Sequence, residues 1–316
     1  MRAVRRKAEK RRFVYGPVPS RRLGFSLGVD ILPYKTCSLD CIYCQLGSAG
    51  RTTSRRRAYF SVREVLAQVR KALAACPMVD HITFSGSGEP TLNRNLGRII
   101  RGIKKATRVP VAVLTNGTLL TRRDVRAELR PADVVVPSLD AATAALFRKV
   151  NRPHPSLEAA RLIKGLARFR REFKGRLWLE VMLVKGVNDS SAHIRALKKA
   201  IAAIDPDRVQ LNTVVRPPAD ASAKPLTVRE LEKIRRALGE KAEIVAAFAG
   251  RRQSRRPDGL EAAIVAIVKR RPVTVEDISA ALGRHRDDVL KAAGRLLDSG
   301  KIRFIRHGRK AFYEPG

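Results

Sequence analysis

Three cysteines close together in the sequence are the residues whose type and spacing most clearly indicate chemistry. Cys37, Cys41 and Cys44 form a C-x3-C-x2-C pattern within one short segment. Thiolates at this spacing can each bind one iron of a [4Fe–4S] cluster and leave the fourth iron without a protein ligand. Because an iron with an open coordination position can bind and activate a small molecule, the segment predicts a reactive centre rather than a simple electron carrier.

The cysteine spacing differs from two common patterns. Bacterial ferredoxins have two-residue gaps between their first cysteines, and zinc ribbons pair one C-x2-C with a second one downstream. A mononuclear zinc site remains the alternative, and it would need a fourth ligand from elsewhere in the chain. The candidates for that ligand are Cys76, His81 and His154.

A second segment, Ser85-Gly-Ser-Gly-Glu-Pro-Thr-Leu92, directly follows a predicted strand. Its two glycines allow the backbone to approach a ligand closely, and the carboxylate of Glu89 could accept hydrogen bonds from a ligand ammonium group. The alternative is an ordinary glycine-rich turn with an acidic residue at a helix N-terminus. The segment is not a phosphate-binding P-loop, since no Gly-Lys-Ser/Thr follows it.

Six strand–helix units position these segments. The predicted strands are 27–31, 81–84, 110–114, 133–136, 177–183 and 208–212, and an amphipathic helical pattern follows each of them except where the cysteine segment intervenes first. This alternation predicts an α/β fold with a parallel sheet and helical crossovers, as either a partial barrel or a doubly wound sheet. In both, ligands bind at the carboxyl ends of the strands, where the cysteine and glycine segments lie.

The composition divides the chain into four parts. Residues 1–12 are predicted to be a basic tail, 13–248 the α/β domain, 249–257 a linker and 258–316 a small C-terminal domain. In the last part three helical patterns precede two short strands, which is the order of a winged helix-turn-helix. Such a domain binds either nucleic acid or protein. The candidate nucleic-acid contacts are Arg284, His285, Arg286, Lys291, His307, Arg309 and Lys310.

The net charge is +36, from 65 Lys and Arg against 29 Asp and Glu. Such a charge attracts polyanions, nucleic acid above all, or acidic protein partners. The longest apolar run, 262–268, is too short to span a membrane, so no membrane contact is predicted. No apolar segment follows the basic N-terminus, and the cysteines do not suggest a disulfide framework, so we expect a cytoplasmic protein.

Taken together, the motifs resemble those of radical S-adenosylmethionine (SAM) enzymes. The resemblance rests on the cysteine segment, with Tyr43 before its last cysteine, and on Gly86-Ser-Gly-Glu89 after the next strand. The segments Gly16-Pro-Val-Pro-Ser-Arg-Arg-Leu-Gly24 and Gly28-Val-Asp30 resemble the Fe–S oxidoreductase branch related to wyosine-base (tRNA) synthases. The resemblance covers residues 13 to about 245 and implies a partial (β/α)6 radical SAM barrel.

The resemblance also implies a role for particular residues. Cys37, Cys41 and Cys44 would bind the [4Fe–4S] cluster, and the amine and carboxylate of SAM would chelate its open iron. The residues implied to hold the methionine amine are Gly86, Ser87, Gly88 and Glu89. Tyr43 would lie against the adenine. Candidates for ribose, carboxylate or adenine contacts are Asn116, Ser138, Asp140 and Asn212, each with an ordinary loop-end role as the alternative. Lys185 is a candidate catalytic residue, with a salt bridge or a SAM contact as its alternatives.

The implied reaction is reductive cleavage of SAM to a 5′-deoxyadenosyl radical, with reduced flavodoxin or ferredoxin as the electron donor. Wyosine-base synthases are expected to use a second cluster held by further cysteines, and no cysteine precedes Cys37 here. The resemblance therefore does not extend to their tricyclic-base chemistry. Three hypotheses follow: a radical enzyme that modifies RNA (tRNA-like), a radical enzyme that modifies a protein or peptide, and a DNA-binding iron–sulfur redox sensor.

Overall fold

The structure is a computed structural model that describes residues 11–20, 22–48, 50–76, 79–245, 259–284, 286–308 and 310–316. The predicted linker 249–257 and the first ten residues of the predicted basic tail lie outside the described residues. Two candidate nucleic-acid contacts, His285 and Arg309, lie outside them as well.

Eight strands form one sheet whose spatial order follows the chain order. They are β1 (Val14–Ser20), β2 (Gly24–Val29), β3 (His81–Phe84), β4 (Val111–Thr115), β5 (Val134–Pro137), β6 (Arg176–Leu183), β7 (Arg208–Thr213) and β8 (Ala242–Ile244). β1 pairs antiparallel with β2, and every later pair is parallel. The predicted α/β fold with a parallel sheet is confirmed. A sequential strand order is that of a barrel-type sheet, because a doubly wound sheet changes direction at a switch point.

Helices with one apolar face cross between the parallel strands. They are α1 (Val62–Ala75), α2 (Leu96–Ala106), α3 (Arg123–Leu129), α4 (Ala144–Leu146), α5 (Ala159–Glu172), α6 (Ser191–Ile204) and α7 (Val228–Leu238), and a π-helical turn, Phe147–Asn151, follows α4. α2 shows why they form: its leucine and three isoleucines recur at helical spacing and are all buried. The helices within the described ranges all lack the length and apolarity needed to span a membrane.

The C-terminal unit, residues 259–316, contains three helices and a hairpin. Its elements are α8 (Leu260–Val268), α9 (Val275–Leu282), α10 (Arg286–Asp298), β9 (Ile302–His307) and β10 (Lys310–Pro315). The last two strands pair antiparallel. The winged helix-turn-helix prediction rests on this order of elements, and the assignment to that class stays a prediction.

The C-terminal unit packs against the edge strand β1. Tyr15 and Val18 of β1 belong to one apolar cluster with buried residues of the C-terminal unit, among them Ile264 and Ile278. Covering an edge strand in this way prevents its unpaired side from associating with other chains. The contact places the C-terminal unit beside the carboxyl ends of the strands rather than apart from the sheet.

Arg56 is a buried cation that ties the segment after the cysteines to α3. Its Nη1 lies 2.9 Å from Asp124 Oδ2, and its Nε donates to the carbonyl oxygen of Thr91 at 2.7 Å. A second ion pair joins Arg56 to the carboxylate of Glu128. Since the Arg56 side chain is only 4% exposed, these partners replace the water that it loses.

We expect Arg56→Ala to lower the free energy of unfolding by about 3–5 kcal/mol, because it leaves the Glu128 carboxylate without its partner in a partly buried position. Denaturant titration of the purified protein measures the change. Arg122→Ala is the control, since Arg122 forms an exposed pair with Asp124 and should contribute less than about 1 kcal/mol. Equal losses in the two variants would contradict the interpretation.

Candidate functional site

A cavity of about 370 Å³ lies at the carboxyl ends of the parallel strands. Its wall contains Cys37, Cys41 and Cys44. The other sequence-predicted residues on the wall are Tyr43, Gly86, Gly88, Glu89, Asn116, Ser138 and Asn212. These residues come from the loops or ends of strands β2 to β5 and β7, which is why residues far apart in sequence meet here.

The cysteine segment and the glycine segment touch through their backbones at Thr36 and Gly88. The amide of Glu89 donates to the carbonyl oxygen of Thr36 at 3.0 Å, and Thr36 and Gly88 form a parallel β-bridge. A Cβ atom added at Gly88 would lie 1.9 Å from the Thr36 oxygen, far closer than real Cβ contacts. Glycine is therefore required at position 88 for the two segments to share one cavity.

The carboxylate of Glu89 is buried and joins the glycine segment to the end of β4. Its Oε1 accepts hydrogen bonds from the amide and hydroxyl of Thr91 and from the hydroxyl of Thr115, and its Oε2 accepts one from the amide of Asn116 at 2.6 Å. Burial raises the pKa of Glu89, although these hydrogen bonds oppose the rise. Oε1 accepts three of these hydrogen bonds and Oε2 accepts one, so Oε2 can accept a further donor from a ligand.

Each of the three cysteine sulfurs has a polar or charged neighbour. The Nδ2 of Asn116 lies 3.6 Å from Cys37 Sγ, and the Nδ2 of Asn151 lies 3.4 Å from Cys41 Sγ. Lys35 lies beside Cys44. Burial lowers the pKa of Lys35, but Cys44 and a neighbouring carboxylate raise it by more, so the ammonium stays charged. These donors favour negative charge on the sulfurs.

Burial makes the thiols of Cys37 and Cys41 weak acids in the absence of a metal, because it raises the pKa of each. It raises the pKa of Cys37 to about 12, with the carboxylate of Glu89 adding to the rise. It also raises the pKa of Cys41 well above its usual range. Because a cysteine must lose its proton to bind a metal, these thiolates are stable only with a cationic centre to compensate their charge.

Asp140 is a predicted candidate for direct contact with SAM, but it does not line the cavity. Its carboxylate accepts hydrogen bonds from the Tyr43 hydroxyl, from Asn151 Nδ2 at 2.7 Å and from the amide of Met182 at 2.8 Å. Burial raises the pKa of Asp140 to about 6, against the effect of these donors. The structure therefore gives Asp140 the task of orienting Tyr43 and Asn151, which themselves contact the cavity or a cysteine.

The side chains of two other predicted residues also lie outside the cavity. The Ser87 hydroxyl donates to Asp30 Oδ2 at 2.6 Å, and the residue lines a neighbouring cavity. Lys185 is half exposed, and its Nζ lies 2.9 Å from the carboxylate of Glu230, as its salt-bridge alternative requires. A catalytic role for Lys185 stays a prediction. The loop pattern alone could not tell which way these side chains point.

The sequence reasoning missed several polar residues of the site. They are Tyr15, Arg22, Lys35, Asn151, Glu180, Arg216, Arg270 and Arg271. One signal was available: Glu180 is a charged residue inside a central strand, and it pairs with Arg22 at 2.8 Å and accepts from Asn212 at 3.2 Å. A charge in such a place is rarely tolerated without a partner or a function.

The described parts of the chain provide no set of ligands for the alternative of a mononuclear zinc site. No three Cys, His, Asp or Glu side chains there converge on a position for one metal ion. The Nδ1 of His81 is hydrogen-bonded to a carbonyl oxygen, that of His154 contacts the Ser156 hydroxyl, and Cys76 is buried at the end of α1. In a cluster, by contrast, each thiolate binds a different iron, so the three sulfurs need not converge.

Comparisons with known proteins identify the family to which the chain belongs. Residues 31–197 match the family described as the Radical SAM superfamily. A UPF0026 protein of Methanocaldococcus jannaschii is 30% identical over 95% of this chain and 94% of that protein. A Brachyspira hyodysenteriae protein named GTPase Obg is 39% identical over 93% of this chain, and the chain spans only 44% of that protein. A dual-specificity RNA methyltransferase RlmN of Oleidesulfovibrio alaskensis is 27% identical over 63% of this chain and 56% of that protein.

Among solved structures, a radical SAM methyltransferase from Sphaerobacter thermophilus has a similar fold. Its TM-score is 0.53 at 23% identity, covering 69% of this chain and 65% of that chain. The chain therefore belongs to the radical SAM superfamily, with UPF0026 proteins among its full-length relatives. It is a radical SAM enzyme, and its cofactors are a [4Fe–4S] cluster and SAM, as predicted. Its placement in the wyosine-related branch stays a prediction.

The residues present fit these cofactors. Three thiols on one wall, each with a polar or charged neighbour, suit a cluster bound through three irons. The glycine backbone and the remaining acceptor position on Glu89 Oε2 suit the ammonium group of an amino acid.

We expect Asn151→Leu to make the cluster harder to reduce, because a hydrogen bond to a cluster thiolate stabilises the extra negative charge of the reduced state. Losing a hydrogen bond that contributes about 0.5–1.5 kcal/mol to the reduced state lowers the reduction potential by about 20–60 mV for one electron. A redox titration followed by electron paramagnetic resonance measures the potential. Asn212→Leu is the matched control, since its amide contacts Glu180 rather than a sulfur. An unchanged potential in Asn151→Leu would contradict the assignment.

Proposed function

We propose that this radical SAM enzyme binds its cluster through Cys37, Cys41 and Cys44, cleaves SAM reductively and modifies an RNA (tRNA-like). The observation that carries the proposal is a single cavity that holds the three thiols together with the backbone of Gly86–Glu89. The two segments that resemble the motifs of a radical SAM site thus share one wall, and they touch at the Thr36–Gly88 contact.

The residues of the cavity would bind and orient the cofactors. The backbone of the glycine segment and Glu89 Oε2 would hold the methionine amine, and Tyr43, whose hydroxyl is fixed by Asp140, would lie against the adenine. Ser138 and Asn212 are placed on the wall for the remaining polar groups of SAM. Asn116 contributes mainly by holding the cysteine segment, since its amide donates to Ser38 at 2.9 Å.

A cluster held by Cys37, Cys41 and Cys44 would supply the electron for reductive cleavage of SAM, and the radical chemistry that follows would remove a hydrogen atom from a C–H bond of the substrate. The chain itself must keep water and stray hydrogens away from this reaction. The Tyr15 hydroxyl, 2.8 Å from Ser85 Oγ, fixes one side of the wall, and the Arg22–Glu180 pair lies within it. The C-terminal unit adds Arg270 and Arg271 to the same wall.

RNA is the substrate class that the charges favour. A chain with a net charge of +36 attracts polyanions over distances of about a Debye length. The similarity to an RNA methyltransferase over 63% of the chain supports the same class. Radical SAM enzymes need an electron donor, and the basic surface suits an acidic one such as reduced flavodoxin or ferredoxin.

We expect Gly88→Ala to weaken SAM binding at least about tenfold while the cluster is retained, because the new Cβ would push the glycine segment away from Thr36. Equilibrium dialysis of SAM against the reconstituted protein measures the affinity, and iron and sulfide analysis measures the cluster. Gly294→Ala is the matched control, since a Cβ there meets no neighbour within 4 Å. Equal SAM affinity in both variants would contradict the role of this contact.

The proposed reaction is tested by anaerobic reconstitution with iron and sulfide, followed by dithionite and SAM. We expect 5′-deoxyadenosine from the wild-type protein and none from Cys41→Ala, which removes one cluster ligand. A fully loaded cluster that yields no product would refute the proposal. DNA binding that depends on the redox state of the cluster would then favour the redox-sensor hypothesis.

The proposed substrate is tested by binding of bulk tRNA as a function of salt concentration. We expect binding at physiological salt and a steep decrease in affinity with salt, because phosphate contacts release counterions. Absence of binding at physiological salt removes the RNA hypothesis. Formation of 5′-deoxyadenosine without tRNA binding would instead favour a protein or peptide substrate.

A further inference from the structure

Gly28, near the end of β2, makes room for the ring of Tyr15. A Cβ atom added at Gly28 would lie 2.1 Å from Tyr15 Cζ, far closer than real Cβ contacts. The ring therefore packs on the backbone of β2, which lies next to β3 in the sheet. Because the glycine segment directly follows β3, this packing brings the Tyr15 hydroxyl to it, 2.8 Å from Ser85 Oγ.

Asp30, directly after β2, holds the next two residues of the glycine segment. Its Oδ2 accepts a hydrogen bond from the Ser87 hydroxyl at 2.6 Å, and its Oδ1 accepts one from the Ser87 amide at 3.2 Å. A Cβ atom added at Gly86 would lie 2.7 Å from Asp30 Cγ. The Asp30 side chain is only 3% exposed, so it lies fixed against the glycine segment and determines where Gly86 and Ser87 lie.

Arg270, in the C-terminal unit, contacts both of these supports. Its Nε lies 3.6 Å from Asp30 Oδ2, which is an ion pair longer than a hydrogen bond, and its Cζ lies 4.5 Å from the centre of the Tyr15 ring. Cations are attracted to the faces of aromatic rings, and charges attract each other more strongly away from water. The Arg270 side chain is only 10% exposed, so both contacts are made in a largely buried place.

Arg270 is itself held in position from two sides. Its Nη1 donates to the carbonyl oxygen of Ala266 in α8 at 2.6 Å, and its Nη2 donates to that of Arg12, just before β1, at 2.8 Å. Hydrogen bonds from a charged group are stronger than those between neutral groups. A guanidinium group fixed in this way positions its neighbours rather than adapting to them.

The cysteine segment is held by other contacts. Asn116 and Asn151 lie at the sulfurs of Cys37 and Cys41, whereas the hydrogen bonds, ion pair and ring contact of Arg270 go to other parts of the chain. A change at Arg270 should therefore affect the glycine segment and leave the cluster ligands in place.

We propose that Arg270 is a positioning residue for SAM, which through Asp30 and Tyr15 holds residues 85–87 in the conformation that binds the methionine amine. The proposal rests on the proposed function, which assigns the glycine segment to SAM, and deepens it by making the C-terminal unit part of the SAM site. A loop that is held in its bound conformation before the ligand arrives loses less entropy on binding, so its affinity for the ligand is higher.

The test measures SAM affinity by equilibrium dialysis against the reconstituted protein. We expect Arg270→Gln and Asp30→Asn each to weaken SAM binding at least about fivefold, while the iron and sulfide contents stay unchanged. The double variant should bind SAM no more weakly than the weaker single variant, because the effects of residues that act through one contact are not additive. Arg303→Ala is the matched control, since Arg303 pairs with Glu314 within the C-terminal hairpin and its side chain is 69% exposed.

A second measurement follows the glycine segment in the absence of SAM. The amides of Ser85, Ser87 and Glu89 donate hydrogen bonds to neighbouring segments, so hydrogen–deuterium exchange reports how firmly the segment is held. We expect faster exchange in a peptide covering residues 85–89 of Arg270→Gln. Exchange in a peptide covering α7 should be unchanged.

Three results would overturn the proposal. Additive losses of SAM affinity in Arg270→Gln and Asp30→Asn would show that Arg270 contacts SAM directly. Unchanged exchange in residues 85–89 would show that Arg270 does not hold the segment. An equal loss of SAM affinity in Leu296→Ala, which removes packing from the core of the C-terminal unit, would show that only the stability of this unit matters. Where Arg270→Gln does not fold, Arg270→Lys takes its place in the same comparisons.

The exchange measurement also separates this proposal from the function on which it rests. Faster exchange in Arg270→Gln together with unchanged SAM affinity in Gly88→Ala would support the contact of Arg270 with the segment and refute the segment's role in SAM binding, which belongs to the proposed function. Weaker SAM binding in Gly88→Ala together with unchanged exchange in Arg270→Gln would overturn the role of Arg270 and leave the proposed function intact.

Discussion

The site depends on the close approach of two backbone segments at Thr36 and Gly88. One segment carries the cysteines and the other carries the predicted amine-binding loop, and they come from different strand–helix units. The contact leaves no room for a Cβ atom, and the buried carboxylate of Glu89 then fixes the second segment to β4. The geometry of the cavity thus follows from a single steric constraint. A network of buried hydrogen bonds then holds the two segments in position.

Much of the fold could be predicted because local patterns determine it. β3 matches its predicted bounds, 81–84, and α7 forms where a helical apolar pattern follows a capping box at Thr227 and Glu230. β1 was missed because its sequence, VYGPVPS, is interrupted by glycine and prolines that usually mark turns. β8 was missed because three residues are too few for an alternating pattern to be recognised.

The site could be predicted only where its residues are neighbours in sequence. The cysteines and glycines form compact motifs, so their types and spacing were sufficient. Asn151 was missed because its partner Cys41 is 110 positions away and no local pattern links them. Arg216 of the cavity wall was missed for the same reason, because it pairs with Asp277 in a different part of the chain. The side chains of Asp140 and Lys185 do not line the cavity, and a sequence pattern in a loop does not show which way a side chain points.

The packing of the C-terminal unit on β1 has a consequence for how the chain reaches its native state. β1 leaves the ribosome before its apolar partners such as Ile278, which follow more than 250 residues later. Until they arrive, Tyr15 and Val18 and the free edge of the sheet stay uncovered, and such edges invite association with other chains. Nascent chains, and chains cut within the C-terminal unit, therefore expose a surface that is prone to aggregation.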